Sequence, residues 1–421
     1  MSPDHVVTLF LALAFIVTAA RVLGELASRL NQPPVIGEIL FGILLGPTLL
    51  GGAITNIIFP IDIRPLLSTL ADIGVALFMF TVGAEVDRRL LRGQARVTMT
   101  VALFSFVLPF LLGCALAFYL ATHHPNSQLL GFVLFTGIAM SVTAFPVLAR
   151  ILGDRKMNRT PVGGLALSCA AVGDVLAWSF LAAITTAVGG PDGPKWHVVL
   201  IVPFVLVMTF VVRPALRRSY ESWQDDRTGR RMLVVGLAGL FVSGALTEWM
   251  GLHFIFGAFL FGTIVPRDEH GQGHAHVWEG TTRVSSFLLL PIYFVVAGFD
   301  VDLSRIDATN LVDFALIMLV SVGGKFAGTV LAARMHRVAW RHAAILGALM
   351  NTRGLTELIV LTIGLQLGLI DRGLYSLMVL MAVLTTAMSG PLLQLLSRGS
   401  GVLDRNEIPT TGTSGFQQPT H

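Results

Sequence analysis

Residues 166–184 read ALSCAAVGDVLAWSFLAAI, an apolar run with one charged residue, Asp174, near its centre. A helix crosses a bilayer with roughly 20 apolar residues, so this run fits a membrane span. The rest of the 421-residue chain agrees, being 54% hydrophobic and only 13% charged. Soluble domains carry about 25% charged residues. A single soluble core of this size would leave too much apolar surface facing water, and the same figures exclude a disordered or fibrous chain. The expected class is an all-α polytopic membrane protein.

Working outward from Asp174, thirteen apolar segments qualify as spans: about 6–24, 34–52, 65–84, 97–121, 129–152, 162–189, 197–215, 231–249, 252–266, 284–299, 310–335, 342–368 and 373–396. The ninth and tenth are short. Lys and Arg fall almost wholly on alternate loops; only Arg64, Lys195, Arg305 and Arg372 lie on the other set. By the positive-inside rule the N-terminus is outside and the C-terminus inside. The first run has no basic stretch before it and no small-residue cleavage site after it, so it reads as a span and not a signal peptide. Residues 1–396 form the transmembrane domain, and the Gly/Ser/Thr-rich stretch 397–421 reads as a disordered cytoplasmic tail. The net charge of +4 is spread in short clusters between apolar runs, which argues against a nucleic-acid partner. Cys114 and Cys169 lie inside apolar runs, where neither a structural disulfide nor a zinc site is expected. His270, His274 and His276 share the loop 267–283 with acidic residues; a flexible solvated loop is the first reading, a metal or pH-sensing role the second.

Ionisable residues at membrane depth are costly and mark function by default. Asp174 has no Lys or Arg within a helical turn. It is either a carboxyl kept neutral by burial or a group that alternates between a proton and a cation. Lys325, in LIMLVSVGGKFAGTVLAA (316–333), needs a carboxylate if it is buried and charged. Asp174 is the natural partner if the sixth and eleventh spans touch. Two other spans carry helix breakers beside polar groups. FTGIAMSVTAFPVLARIL (135–152) has Ser141 and Thr143 just before Pro146, and ILGALMNTRGLTELIVLTIG (345–364) sets Asn351, Thr352, Arg353 and Gly354 in a row, then Thr356 and Glu357. Proline removes a backbone donor and clashes one turn back. Interrupted helices in corresponding places of two halves point to a midplane site of a secondary transporter. With repeats of about 6–189 and 231–396 and a linker helix at 197–215, the fifth and twelfth spans correspond and the halves are inverted. Glu38 and Asp72 suit helix packing or a vestibule. The one intramembrane histidine candidate, His253, has no serine partner, so no enzyme is expected.

These segments resemble the monovalent cation:proton antiporters, in the branch of Kef-type efflux antiporters and plant cation/proton exchangers. PPVIGEILFGILLGP (33–47) is similar to that branch's second span, FMFTVGAEVD (78–87) to its third, SVTAFPVLARIL to its broken fifth and NTRGLTELIVLTIG to its broken twelfth. GDVLAW (173–178) and GGKFAG (323–328) lie where the family keeps its ion-site aspartate and its lysine. The resemblance covers about residues 6–396. It implies that Asp174 binds the transported Na+ or K+ or a proton, with Ser141, Thr143 and Asn351 at the ion site. Pro146, Thr352, Arg353, Gly354 and Glu357 would shape or stabilise the crossing, and Lys325 would pair with Asp174 or stabilise the crossing. It further implies a mobile core of spans four to six and eleven to thirteen, a homodimer, no cofactor, and a multi-pass protein of the cell membrane. One departure is Gly173, where the family commonly has Asp, Asn or Gln. The expected function is exchange of a monovalent cation for H+; the alternative is a proton-coupled transporter or cation channel for another substrate on the same scaffold.

Overall fold

The computed structural model describes residues 3–30, 32–48, 53–85, 95–124, 128–155, 157, 160–188, 199–222, 228–266, 280, 283–304 and 308–397. The histidines of the 267–283 loop and the stretch 398–421 lie outside these residues. Regular structure is helical throughout them: α1 (Pro3–Arg29), α2 (Pro34–Leu45), α3 (Ala53–Ile58), α4 (Arg64–Glu85), α5 (Ala95–Leu120), α6 (Leu129–Ser141), α7 (Phe145–Asp154), α8 (Pro161–Val188), α9 (Ile201–Val207), α10 (Arg213–Ser222), α11 (Thr228–Trp249) and α12 (Phe254–Ile264). A π turn, Met208–Val212, joins α9 to α10, and another, Ser285–Leu289, leads into α13 (Leu290–Gly298). The chain ends in α14 (Ala308–Met335), α15 (Trp340–Met350), α16 (Leu355–Gln366) and α17 (Arg372–Ser397).

Among the described residues, eight helical segments, one of them the α6–α7 stretch, are long and apolar enough to cross a membrane, and the bent pair α15–α16 makes a ninth. The remaining apolar segments are shorter: α2, α12 and the Ser285–Gly298 stretch. Each of the thirteen sequence segments therefore contains helix. The second ends early, at Gly46, and the seventh is divided between α9, the π turn and the Arg-rich α10. Helices here pack without water to drive them together, so small residues at contacts matter. A Cβ on Gly298 would fall 2.1 Å from the Gly42 backbone, so α2 and α13 pack backbone to backbone.

Burial locates the centre of the molecule. In the α6–α7 segment, Leu129–Gly153, 83% of the most apolar 18-residue stretch is buried, whereas in His5–Arg29 only 17% is. Around α6 and α7 pack α5, α8, α14 and α16, while α1, α2, α4, α11, α12 and α13 contact one another on the other flank. The boundary between these two groups of helices differs at its two ends. Near the start of α17, Tyr375 donates to the Ala297 carbonyl (3.1 Å), Asp302 N–H donates to Ser376 (2.9 Å), and Tyr293 shares a hydrogen bond with Thr362 (3.2 Å). Near the other end of α17 there is a cavity of about 490 Å³, with Gln32, Pro33 and Pro34 on one wall and Arg150, Arg155 and Gln394 on the other.

Candidate functional site: two broken helices around a buried carboxylate

The interruptions read from sequence meet at the centre. Helix α6 stops at Ser141 and α7 starts at Phe145, with Pro146 in its first turn, where proline's missing N–H costs no intrahelical bond. Helix α15 stops at Met350 and α16 starts at Leu355, with a bend of 47° between them. Extended backbone at 142–144 then lies against the second break. Ala144 N–H donates to the Thr352 carbonyl (3.0 Å), and the Thr143 hydroxyl to the Met350 carbonyl (3.1 Å). Non-helical backbone at membrane depth survives only where protein or a cavity satisfies it, and each break does this for the other. The glycine at 354 permits the approach, since a Cβ there would come within 2.6 Å of Val147.

Two cations close the exposed carbonyls at the end of α6. A helix C-terminus leaves four carbonyls without partners and carries a partial negative charge. The Arg353 guanidinium donates to Ala139 O and Met140 O, each at 2.6 Å, and to Glu357 Oε2 at 2.6 Å. The Lys325 ammonium donates to Ser141 O. Thr386 of α17 accepts from Arg353 N–H (3.0 Å) and donates to its carbonyl (2.6 Å), which anchors the break from behind. The Ser141 hydroxyl turns away and donates to Phe106 O and Gly137 O.

Asp174 sits on α8, which packs against α6, α7 and α15. It is 1% exposed, and neither carboxylate oxygen has a hydrogen-bond partner. Lys325 acts on it through space, and the Phe145 N–H at the start of α7 is directed toward it. The ion pair with Lys325 expected from sequence is not formed; the ammonium takes the Ser141 carbonyl instead. Asn351 is also 1% exposed, with both amide atoms unpartnered, and Glu357 Oε1 and Thr356 Oγ1 are unpartnered too. Buried polar groups without protein partners are rare in native proteins, and here they gather around the second break and Asp174. A Cβ on Gly173 would meet nothing within 4 Å, so there is open space beside Asp174.

Of the ten residues singled out in the sequence, Ser141, Thr143, Pro146, Lys325, Asn351, Thr352, Arg353, Gly354 and Glu357 belong to or hold the crossing, and Asp174 lies beside it. Thr386, a serine/threonine position deep in the last span, was not singled out. Its only sequence signal is a Thr-Thr pair inside an apolar run. Glu38 is within electrostatic reach of Arg21 and of Arg150, which lines the cavity.

The whole helical domain has counterparts. Residues 11–399 match the sodium/hydrogen exchanger transmembrane family. The chain is 38% identical to the Na(+)/H(+) antiporter NhaS4 of Synechocystis over 91% of its own length and 97% of that protein. It is 38% identical to the Cation/H(+) antiporter 20 of Arabidopsis thaliana over 90% of its length and 47% of that protein. Against the K(+)/H(+) antiporter 1 of Saccharomyces cerevisiae the identity is 31%, over 88% of this chain and 44% of the other. The structure of the sodium proton antiporter MjNhaP1 from Methanocaldococcus jannaschii at pH 8 has the same fold, with a TM-score of 0.68 at 13% identity over 95% of this chain and all of that one. A multi-pass integral membrane chain with its two interrupted helices crossed, the protein belongs to the sodium/hydrogen exchanger family of cation/proton antiporters.

Proposed function

We propose that the protein exchanges a monovalent cation, Na+ or K+, for H+ by alternate occupancy of the Asp174 carboxylate, working as a homodimer in the cell membrane. The observation that carries this reading is a carboxylate 1% exposed with both oxygens free of hydrogen bonds. Such a group must be neutralised, because a bare buried charge is very costly. A proton and a dehydrated monovalent cation are the two neutralisers a cation/proton antiporter offers. The unpartnered Asn351 amide and the break carbonyls are candidate further oxygen ligands. The named activities of NhaS4 and the yeast K(+)/H(+) antiporter support the substrate class, and leave both cations open.

The boundary supports alternating access between a core of α5–α8 and α14–α17 and a frame of the remaining helices. One end is hydrogen-bonded shut, and the other opens into a cavity of about 490 Å³. This arrangement is that of an exchanger open toward the side bearing Arg150, the inner side if the N-terminus is outside.

Exchange at a single carboxylate carries one charge in each direction, so transport is expected to be electroneutral. The one-for-one reading requires Lys325, which donates to the Ser141 carbonyl, to keep the same protonation state at every step of the cycle. Purified protein in proteoliposomes, given a cation gradient and a pH-sensitive dye, should move H+ against the cation, with an equilibrium ratio unaffected by an imposed potential. One net charge is worth about 2.3 kcal/mol per 100 mV, so a ratio that follows voltage sinks the one-for-one reading. No H+ movement with any monovalent cation sinks exchange itself. Gly173→Asp adds a second carboxylate into open space, and it should make the ratio voltage-sensitive without unfolding the protein.

A further inference from the structure

Far from the crossing, at the end of α17 opposite the cavity, three helices are joined by a buried histidine. His124, just beyond α5, is 5% exposed. Its Nδ1 is hydrogen-bonded at 3.1 Å to both oxygens of Asp371, immediately before α17, and its Nε2 lies at an ion-pair distance of 3.3 Å, without hydrogen-bond alignment, from Asp313 Oδ2 in the first turns of α14. Asp313 is 1% exposed and is also approached by His123 Nδ1 at 3.3 Å. Asp371 in turn caps α17 by accepting the Leu374 N–H at 2.7 Å. The other titratable groups at this junction are Tyr119, whose ring meets His123 edge-on at 4.9 Å, and Arg372, which pairs with Asp300 at 3.3 Å.

The chemistry of the ring decides what this arrangement needs. A neutral imidazole has one N–H and one lone pair; only the imidazolium donates from both nitrogens. Here both nitrogens face carboxylates. A neutral ring would aim its lone pair at one of them.

We propose that His124 is a second proton-binding site, distinct from Asp174, whose proton clamps the adjoining ends of α5, α14 and α17. The clamp bears on transport because α14 carries Lys325 and α17 carries Thr386, the residues that hold the two breaks. Losing the proton frees one carboxylate contact, relaxes the three ends and slows exchange.

The direction of the pH dependence follows from the two partners. Burial by itself would push the His124 imidazole down, but the hydrogen bond and charge of Asp371, with Asp313, outweigh it and leave His124 above the ordinary histidine value. Stability from the clamp is therefore fully present below about pH 6.5 and is lost as pH rises through the raised value. For Asp371, burial is outweighed by His124 and by the Leu374 N–H, which leaves it below the ordinary carboxylate range. Its contribution is present above about pH 4 and is lost only in stronger acid.

Thermal unfolding of the full chain in detergent between about pH 6 and 9 tests the site. The wild-type midpoint should fall by about 2–4 °C as the clamp releases. His124→Gln should start lower and lose most of that slope, while His123→Gln should keep it. Asp371→Asn retains a capping side chain but weakens the proton's hold, and should move the transition to lower pH. A His124→Gln slope equal to wild type overturns the proposal, as does an unmoved transition in Asp371→Asn if His124→Gln does not fold. The exchange arm rests on the function proposed above; the unfolding arm does not, so the two can fail separately. In proteoliposomes with the His124 face set to low pH, wild type should outpace His124→Gln by about fivefold, the smallest usual coupling between sites. That ratio should approach one as the same face is made alkaline; a constant ratio overturns the regulatory role.

Discussion

Asp174→Asn is expected to reduce exchange to the leak of protein-free vesicles while leaving a folded, monodisperse protein. Asparagine has nearly the same shape but cannot alternate between a charged, cation-binding form and a protonated one. Folding should survive, because the substitution removes a charge that has no hydrogen-bond partner and no ion-pair contact. The midpoint of thermal unfolding should stay the same or rise. Binding provides a second readout independent of flux. A ligand at a hundred times its Kd stabilises the state it binds by about 2.7 kcal/mol, so Na+ or K+ should raise the wild-type midpoint in a concentration-dependent way. Asp174→Asn should show no such rise. Wild-type gradient dissipation by this variant would remove Asp174 from the mechanism.

How much of this site could be read in advance depended on which partner was a side chain. Asp174, Lys325 and Arg353 stand out because a charge in an apolar run is conspicuous, and Pro146 and the Asn351–Gly354 row announce breaks by their local backbone chemistry. What those charges touch was not legible. Lys325 was matched to Asp174 because carboxylates are visible in a sequence; its actual acceptor is the Ser141 carbonyl, a group every residue has. The same holds for two of the three acceptors of Arg353, which lie more than two hundred residues away in the backbone of α6. The end of α6 leaves these final carbonyls without helical partners, and the crossing of the breaks brings the donors to them. The His124 junction was missed for another reason. Its three members sit at loop edges, where His and Asp are ordinary, yet the loop parity that set the orientation already puts His124, Asp313 and Asp371 on one face. The ninth and tenth spans were legible as short, whereas the second reads on to residue 52 although its helix ends before Gly46. The π turn that divides 197–215 had no sequence mark.

Arg353→Ala is expected to be the most destabilising single change in the chain. The side chain is 0% exposed and joins three acceptors on two helices. Truncation leaves Glu357 charged and fully buried, and breaking a buried pair from one side costs about 3–5 kcal/mol. It also strips the donors from Ala139 and Met140, whose carbonyls have no water to turn to. Folded protein should be scarce at growth temperature. Arg353→Lys should recover only part, since a single ammonium cannot reproduce the planar fork. The informative comparison is the double variant Arg353→Met, Glu357→Gln, which removes both charges and keeps most of the volume. If Arg353 served only to neutralise Glu357, the double variant would regain wild-type stability. Because the guanidinium also holds the end of α6, recovery should be partial, with the remaining loss equal whether or not Glu357 is charged. Thermal midpoints of the four proteins in the cycle measure this. Full recovery would mean that the crossing is held by the backbone contacts of Thr143, Ala144 and Thr386 without the arginine, and the C-terminus of α6 would then be the place to look for the transported cation's remaining ligands.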